Sequence, residues 1–392
     1  MDSNQHMKHA LSLALGGLGT VSPNPLVGCV VVKNGIVIGK GFHKKHSAIH
    51  AEVAALDSCT VSPKTGHLFC NLEPCGRMYT GKKHTPCTKR IIREGIHEVS
   101  ISTLDPNPQL KGYGVATLRK AGIKVNIGIE ADQAIKLNLP FFTNMHLSRP
   151  FIHLKSAQSL DGQIATQTGN SKWITDRFAR KIVHQLRSNH DAILIGKGTA
   201  IYDNPNLTVR LRHVKENQSE SRIAPLQPWR IIIDKNLQTP KSTNLISDRY
   251  AKKTIILTSK ANDDSQAISL RELGVKVISI TSCKGMRINL YEAMNALYRF
   301  GIRSILVEGG KGIFTSFLNE NLFDQFTTFI APLIIGSGIN LVGDLDIKLV
   351  SEAIKLQSVN ITKIHNQVMI SGYRNINSIK KLVFPSYDKV KR

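Results

Sequence analysis

Short apolar runs that read as strands alternate with segments of helical period, and this alternation runs twice along the chain with a break near residues 138–150. Such a pattern builds layered α/β domains, and two passes of it imply two of them. In the first pass, HMKHALSLALGG suits an opening helix. VGCVVVKNGIVIGKGF reads as two strands joined at Asn34-Gly35, a strong hairpin signal. HAEVAALDSC is helical, HLFCNLEP a strand, TPCTKRIIREGI a helix, EVSISTL a strand, GVATLRKAG a helix and IKVNIGI a strand. The break itself, NLPFFTNMHLSRP, holds two prolines and no clear period. Beyond it, strands are expected at FIHLKSAQ, AILIG, RIIID, TIILT, VKVISI, SILVEGG and TTFIAP, with helices such as DRFARKIVHQLRSN between them. The polar stretch 212–222 reads as an exposed loop. The expected organisation is a first domain over 1–146, a second over 147–375 and a basic, solvated tail over 376–392.

A chain of 392 residues exceeds one ordinary core, and 41% apolar residues suffice for two. No run of eighteen apolar residues occurs, and the N-terminus lacks a basic start followed by an apolar stretch, so the expectation is a cytoplasmic protein without membrane association. Six cysteines (29, 59, 70, 75, 87 and 283) in such a chain suggest thiols and metal ligands rather than a disulfide framework. The net charge of +24 raises the question of nucleic-acid binding. Residues 1–146 carry 17 Lys and Arg against 9 Asp and Glu, and the remainder carries 35 against 19. Charge is therefore spread evenly, and aromatics for base stacking are only 6%, which favours diffuse surface charge over a nucleic-acid groove.

His50-Ala51-Glu52 opens an expected helix and Glu73-Pro74-Cys75 ends an expected strand. H-x-E followed by P-C-x-x-C is the signature of zinc nucleobase deaminases. One imidazole and two thiolates fill three positions of a tetrahedral zinc and leave the fourth for water, whose pKa falls to about 7. A carboxylate outside the ligand set must then carry protons from that water to the ring nitrogen and the departing amine, and Glu52 is placed for it. The second thiol departs from the pattern, since eleven residues separate Cys75 from Cys87 rather than two. Thr85-Pro86-Cys87 nevertheless reads as N-cap, first-turn proline and a thiol in the first helical turn, where the helix end favours thiolate. A core histidine, a capping glutamate and buried thiols are the bland alternative for each residue taken singly.

The ordered set VSPNPLVGCVVVKNG, GFH, HAE, LEPC, TPC and DPNPQLKGYG resembles the deaminase half of the bifunctional deaminase/reductase family of riboflavin biosynthesis. That resemblance, which extends to about residue 375, implies a cytidine-deaminase-like α/β/α sandwich followed by a dihydrofolate-reductase-like α/β domain. It implies one zinc per chain held by His50, Cys75 and Cys87, with Glu52 as proton shuttle, and Asn24 and His43 near the pyrimidine or its phosphate arm. The implied substrate is 2,5-diamino-6-ribosylamino-4(3H)-pyrimidinone 5′-phosphate. Family members usually have a shorter spacer between the cysteines, of the form S-H-x-G-[KR]-T-P-P-C, whereas GRMYTGKKHTPC stands here. The zinc pair survives that change if Cys87 is fixed by its own helix. Lys82, Lys83 and His84 in the spacer either meet the substrate phosphate or form a solvated basic loop.

In the second half, KSAQSLDGQIATQTGNSKWIT, IGKGTAIYDNPNLTVR and LVEGGKGIFTSFL place Gly, Asp, Ser and Thr at strand ends, where ligands of open α/β sheets bind. No G-x-G-x-x-G fingerprint is present in the first strand-turn-helix unit, so a Rossmann domain is not expected. These three stretches resemble the family's reductase half, which uses NADPH. The resemblance implies a cofactor site at Ala157, Trp173, Thr199, Asp203 and the segment Gly310, Lys311, Gly312, Ile313, Phe314, Thr315 and Ser316. It places the substrate at Ser171, Arg187, Leu207, Arg210 and Glu308, with both arginines as donors to the 5′-phosphate, and the reaction is reduction of the ribosylamino group to ribitylamino. Lys155 and Asp161 are present, although the first also reads as a water-facing strand residue and the second as a turn former. The family precedent further implies a homodimer acting on a small phosphorylated pyrimidine and not on nucleic acid. Two other readings stay open: an RNA-directed zinc deaminase with a C-terminal binding domain, and a closed structural zinc site with His84 as fourth ligand.

Overall fold

The computed structural model describes residues 2–78, 85–211, 226–281, 283–284 and 287–383. The expected contacts of Lys82, Lys83 and His84, and the loop at 212–222, lie outside these residues. The contact pattern divides the chain into two compact units, one of Met1–Leu147 together with Asn377–Arg392, the other of Ser148–Ile376.

In the N-terminal unit the order is α1 (Ser3–Ala14), β1 (Gly28–Lys33), β2 (Ile36–Phe42), α2 (Ala51–Asp57), β3 (His67–Leu72), α3 (Cys87–Arg93), β4 (Glu98–Thr103), α4 (Tyr113–Lys120), β5 (Lys124–Ile127), α5 (Ala131–Leu137) and α6 (Leu139–Leu147). Its five strands form one sheet in the order β2-β1-β3-β4-β5, antiparallel at the β2-β1-β3 end and parallel from β3 to β5. Period-two alternation sends Cys29, Val31, Leu68, Cys70, Val99 and Ile101 to one face, where they form a core with Ala55 and Leu56 of α2, Ile91 of α3 and Leu118 of α4. Val30, Val32 and Phe69 face the other way, onto Met7, Ala10 and Leu11 of α1 and Ala134 of α5. The hairpin turn falls at Asn34 and Gly35, both with positive φ (51° and 75°), as the Asn-Gly pair requires.

The C-terminal unit continues with β6 (Phe151–Ser159), β7 (Gln163–Thr166), α7 (Arg177–Ser188), β8 (Ala192–Gly196), α8 (Lys197–Tyr202), β9 (Trp229–Ile233), α9 (Asn244–Ser247), β10 (Thr254–Thr258), α10 (Ser265–Glu272) and β11 (Lys276–Ser279). There follow β12 (Cys283–Lys284), β13 (Arg287–Ile288), α11 (Leu290–Phe300), β14 (Ser304–Val307), α12 (Lys311–Asn319), β15 (Gln325–Ala331), β16 (Gly338–Asn340), β17 (Gln357–Ile364) and β18 (Gln367–Tyr373). Nine strands make its main sheet in the order β11-β10-β9-β8-β14-β6-β15-β18-β17. The seven from β11 to β15 run parallel, and the β17-β18 hairpin, which the sequence reading did not anticipate, adds an antiparallel edge. Strands β8 and β14 are buried along their whole length and β6 along most of it, consistent with apolar cores on both faces.

Two expectations need correction. The break at 138–150 contains a helix, α6, in which Pro140 occupies the first turn, where a missing N–H costs nothing. The first residues of the expected solvated tail form α13 (Ile376–Val383). Ile376, Ile379 and Val383, spaced as one helical stripe, are buried, and Lys380 pairs with Asp132 at 2.9 Å. Charge counting overlooked that stripe. Among the described residues no helix is long and apolar enough to cross a membrane.

Candidate active sites

In the N-terminal unit three element ends converge. His50 caps α2 in an extended conformation (φ −72°, ψ 157°) and its side chain makes no capping hydrogen bond. Cys75 follows the end of β3 and Cys87 is the first residue of α3, one position nearer the helix start than the sequence suggested, because Pro86 takes the cap. The ligand atoms of His50, Cys75 and Cys87 lie within 4.8 Å of one another, His50 Nδ1 being 3.6 Å from Cys75 Sγ and 3.3 Å from Cys87 Sγ. The two cysteines are also tied directly. The Cys87 N–H donates to Cys75 Sγ (3.3 Å), and the Thr88 N–H to the Cys75 carbonyl (3.4 Å). The eleven-residue spacer is therefore not what holds the thiols together. One imidazole and two thiols around a common point are a donor set suited to zinc with one position left open.

Glu52 is buried in the first turn of α2, and burial pushes its carboxyl above the ordinary range. His43, buried, stands edge-on to His50 with ring centroids 5.7 Å apart. Its Nδ1 faces the Ile49 carbonyl at 3.0 Å, an acceptor only, so this nitrogen carries the proton and Nε2 receives the Asn24 amide at 3.0 Å. The structure thus brings Asn24 and His43 together beside the three ligands. The Asn24 segment is fixed in turn by Leu26, whose carbonyl accepts from both Asn71 and Asn138 at 2.9 Å and whose N–H donates to Asn138 Oδ1 at 2.7 Å.

Glu73, read from the sequence only as part of the cysteine motif, is the organiser of the site's far wall. Its carboxylate is buried and accepts backbone N–H groups from Asp105 (3.1 Å), Gly112 (2.9 Å) and Val115 (3.0 Å), binding the DPNPQLKGYG stretch to the strand end that carries Cys75. Gly114 is required there: a Cβ would stand 2.0 Å from the Pro74 carbonyl oxygen.

In the C-terminal unit the carboxyl ends of β6, β8, β9 and β14 open into two adjoining clefts of about 320 and 1170 Å³. This lies where strand order reverses between β8 and β14, the place at which open sheets bind ligands. The smaller cleft is lined by Ala157, Ser171, Trp173, Arg187, Thr199, Asp203, Arg210, Glu308, Gly310 and Phe314, all expected from the sequence. Lys311, Gly312, Ile313 and Ser316 line the larger one. Two expected residues line neither. Leu207, at φ 49°, is buried in the core beside Ile193 and Leu245, and Thr315 turns its hydroxyl to accept the Gly343 N–H at 2.8 Å. Both side chains follow the core-facing side of their segment.

At the floor of the smaller cleft, Glu308 receives a two-pronged bond from Arg187, Nε to Oε1 at 2.7 Å and Nη2 to Oε2 at 3.0 Å, with Lys155 Nζ 3.6 Å away. The Glu308 carboxyl titrates at about 2: burial alone would raise it, and the charges of Arg187 and Lys155 outweigh that. The Lys155 side chain is mostly buried, which lowers its ammonium below the ordinary value. Arg187 also donates through Nη1 to the Thr208 carbonyl (3.3 Å) and lines the cleft. Asp161 acts as a turn former, accepting from Ser159 Oγ and from the N–H groups of Ile335 and Gly336. Sequence reading missed Arg180 and His184, which share a face of α7 with Arg187 at helical spacing, and the Asp234–Gln238 segment that follows β9. The first could have been found from the i, i+4, i+7 spacing and the second from the Asp that ends RIIID.

Comparison with known proteins agrees with this division. Residues 1–103 match the cytidine and deoxycytidylate deaminase zinc-binding region, and residues 150–370 match the RibD C-terminal domain. The molecule is therefore a zinc-dependent deaminase joined to an NADPH-dependent reductase. The Riboflavin biosynthesis protein RibD of Aquifex aeolicus is 41% identical over 94% of this chain and 98% of its own length, and that of Bacillus amyloliquefaciens is 37% identical over 94% and 95%. A solved deaminase/reductase from Thermotoga maritima superposes with TM-score 0.80 at 33% identity, covering 95% of this chain and 98% of that one. The chain belongs to the RibD family, the bifunctional deaminase/reductases of riboflavin biosynthesis.

Proposed function

We propose that the N-terminal unit deaminates 2,5-diamino-6-ribosylamino-4(3H)-pyrimidinone 5′-phosphate and that the C-terminal unit reduces the ribosyl carbon of the product to a ribityl chain. The solved Thermotoga relative carries the name diaminohydroxyphosphoribosylaminopyrimidine deaminase/5-amino-6-(5-phosphoribosylamino)uracil reductase, which supports this pair of substrates. The observation that carries the first half is the convergence of His50, Cys75 and Cys87 with buried Glu52 two residues from His50.

His50, Cys75 and Cys87 would hold zinc, which when bound makes a water acidic enough to attack near neutral pH. Glu52 would carry one proton from the attacking water to the ring nitrogen and a second, released from the same oxygen as the carbonyl forms, to the amino group, which leaves as ammonia. Its burial suits it to both protonation states. His43, with its proton fixed on Nδ1, and Asn24 position the pyrimidine.

In the reductase, NADPH supplies the hydride. Ala157, Trp173, Thr199, Asp203 and the segment from Gly310 to Ser316 form its site, within which Thr315 supports the backbone through Gly343. Glu308, kept ionised by Arg187 and Lys155, accepts from the sugar hydroxyls, and Lys155 offers the ammonium proton that reduction of an imine requires at nitrogen. Ser171 and Arg210 contact the rest of the substrate, and Leu207 acts from its core position by shaping the backbone before Arg210. Reading the chain as a homodimer follows family precedent and is checked by light scattering.

The test is to supply the diaminopyrimidine phosphate with NADPH and to follow ammonia and NADPH together. Glu52→Ala should abolish ammonia release while NADPH oxidation on already deaminated substrate continues. Loss of both activities in a folded variant would contradict independent sites.

A further inference from the structure

Residues 204–211, which follow α8 and lead away from Asp203, form neither helix nor strand, yet Asp203 and Arg210 both line the smaller cleft. Two residues of this segment, Asn204 and Leu207, hold positive φ (39° and 49°) without being glycine, a conformation that persists only where the surroundings impose it. The surroundings here are side chains and caps. Asn244, the first residue of α9, donates its backbone N–H to Asn204 Oδ1 (2.7 Å) and its side-chain amide to the Asn204 carbonyl (2.8 Å). Arg230 of β9 donates through Nη1 to the Asn206 carbonyl (3.3 Å). Gln227, just before β9, accepts the Val209 N–H on Oε1 (2.9 Å) and returns its amide to the Val209 carbonyl (3.1 Å), the paired exchange that a neighbouring strand would otherwise supply. All three anchors come from β9 or the chain on either side of it, and β9 is fixed between β8 and β10 in the sheet.

Arg230 is the anchor that stability does not account for. It is 1% exposed, and its guanidinium forks Asp248 (2.6 and 2.8 Å) while donating to the Leu245 carbonyl (3.0 Å) and to Thr254 Oγ1. A buried ion pair is a weak stabiliser, since an apolar pair of similar volume commonly does as well. What an apolar pair cannot supply is the donor that reaches Asn206. We propose that Arg230, Gln227 and Asn244 are positioning residues of the reductase, which fix the backbone of 204–209 and through it aim Asp203 and Arg210 into the cleft. The inference rests on the reading of that cleft as the NADPH and substrate site. It divides the work by position: Asn244 acts on the Asp203 end and governs the cofactor, Gln227 acts on the Arg210 end and governs the substrate, and Arg230 between them governs both.

The test uses the full-length chain and reads NADPH binding by calorimetry, KM and kcat for the reductase substrate, and the denaturant unfolding midpoint. Asn244→Ala, whose lost bonds are exposed, should weaken NADPH binding roughly 3- to 10-fold and leave KM for the substrate within about twofold. Gln227→Ala should do the reverse. Arg230→Met combined with Asp248→Leu removes both charges together, so the unfolding midpoint should match wild type while kcat/KM for reduction falls roughly 10- to 100-fold, the scale of a displacement of about 1 Å in a site. Losses that follow the unfolding midpoint and strike cofactor and substrate alike in all variants would overturn the proposal, because support of the fold alone predicts that pattern. So would a folded double variant with full reductase activity. Should the double variant unfold, the opposite splits of Asn244→Ala and Gln227→Ala decide the question, and equal effects of those two on NADPH and substrate would refute it. A wild-type chain that binds NADPH but oxidises none with the phosphorylated substrate would sink the functional reading, and the proposal would then hold if Asn244→Ala weakens NADPH binding and Gln227→Ala does not. A wild-type chain that binds no NADPH would overturn both.

Discussion

The two units solve the problem of building a site in opposite ways. In the deaminase unit the four chemistry-bearing residues lie between positions 50 and 87, each at or near the end of an element, and the most distant pair in contact, His50 and Cys87, is 37 residues apart. In the reductase unit the central ion pair joins residues 121 apart, and the cleft draws on β6, α7, β8, β9 and β14. A compact site of fixed ligands is specified by residue type and local caps. A site made of strand ends is specified by the order in which strands enter a sheet, and its residues carry little meaning until that order is known.

The largest expected effect tests whether the compact site is as self-contained as it looks. Cys87→Ser should remove zinc and deaminase activity, and Glu52→Gln should keep zinc and lower deamination by roughly 10²- to 10⁴-fold. Metal content by mass spectrometry and ammonia release separate the two, and reductase activity should stay within about twofold in both. Concurrent loss of reductase activity would erase the contrast between the units.

Next in size is Glu308→Gln, which strips the dispersed site of its organising charge. Leaving Arg187 and Lys155 buried without their carboxylate should cost the C-terminal unit about 3–5 kcal/mol by denaturant unfolding, besides abolishing reduction. Because the folded-state pKa of about 2 lies below the ordinary 4.5, the stabilisation by Glu308 is complete above about pH 4.5 and fades as pH falls through 2. The stability gap between wild type and Glu308→Gln should close over that window. A gap independent of pH would mean that the carboxylate acts through shape rather than charge.

A smaller effect belongs to the wall of the deaminase site. Glu73→Ala leaves two buried and one half-buried backbone N–H groups without an acceptor and should destabilise the N-terminal unit by about 3 kcal/mol, with zinc bound less tightly because Cys75 is its near neighbour. Ile379→Ala should cost about 2–3 kcal/mol if α13 is packed as described, whereas a solvated tail would show no change in unfolding midpoint. Smallest of all, Lys380→Ala should shift stability by under about 1 kcal/mol, since its partner Asp132 is half-exposed.

Legibility followed the range of the interactions. The helix at Ala51–Asp57, the strand at His67–Leu72 and the Asn34-Gly35 turn were readable because propensity, caps and period act over a few residues. So was the zinc triad, since His, Cys and Cys at element ends imply a shared metal even across an unusual spacer. The β17-β18 hairpin escaped because its strands are largely exposed or half-buried and lack a plain apolar alternation. Leu207 was expected at the substrate and lies in the core, because its side-chain direction depends on a left-handed backbone that the letters do not display. The pairing of Arg187 with Glu308 could not be read from the letters, because only the adjacency of β14 to β8 and β6 brings that partner within reach.

The sequence by itself determined that this chain makes two α/β layers, that the first carries a His, Cys and Cys set suited to zinc with a glutamate two residues from the histidine, and that the second resembles an NADPH reductase. These are consequences of periodicity and residue chemistry, which are local. Tertiary structure alone decided that Cys87 is bonded to Cys75 without help from the spacer, that Glu73 binds three amides from a loop more than thirty residues away, and that His184 stands beside Arg210. Hydrogen bonds of that kind form only between groups that folding has already brought within about 3 Å, and the cost of closing the intervening chain is met by the buried sheet rather than by the bonds themselves.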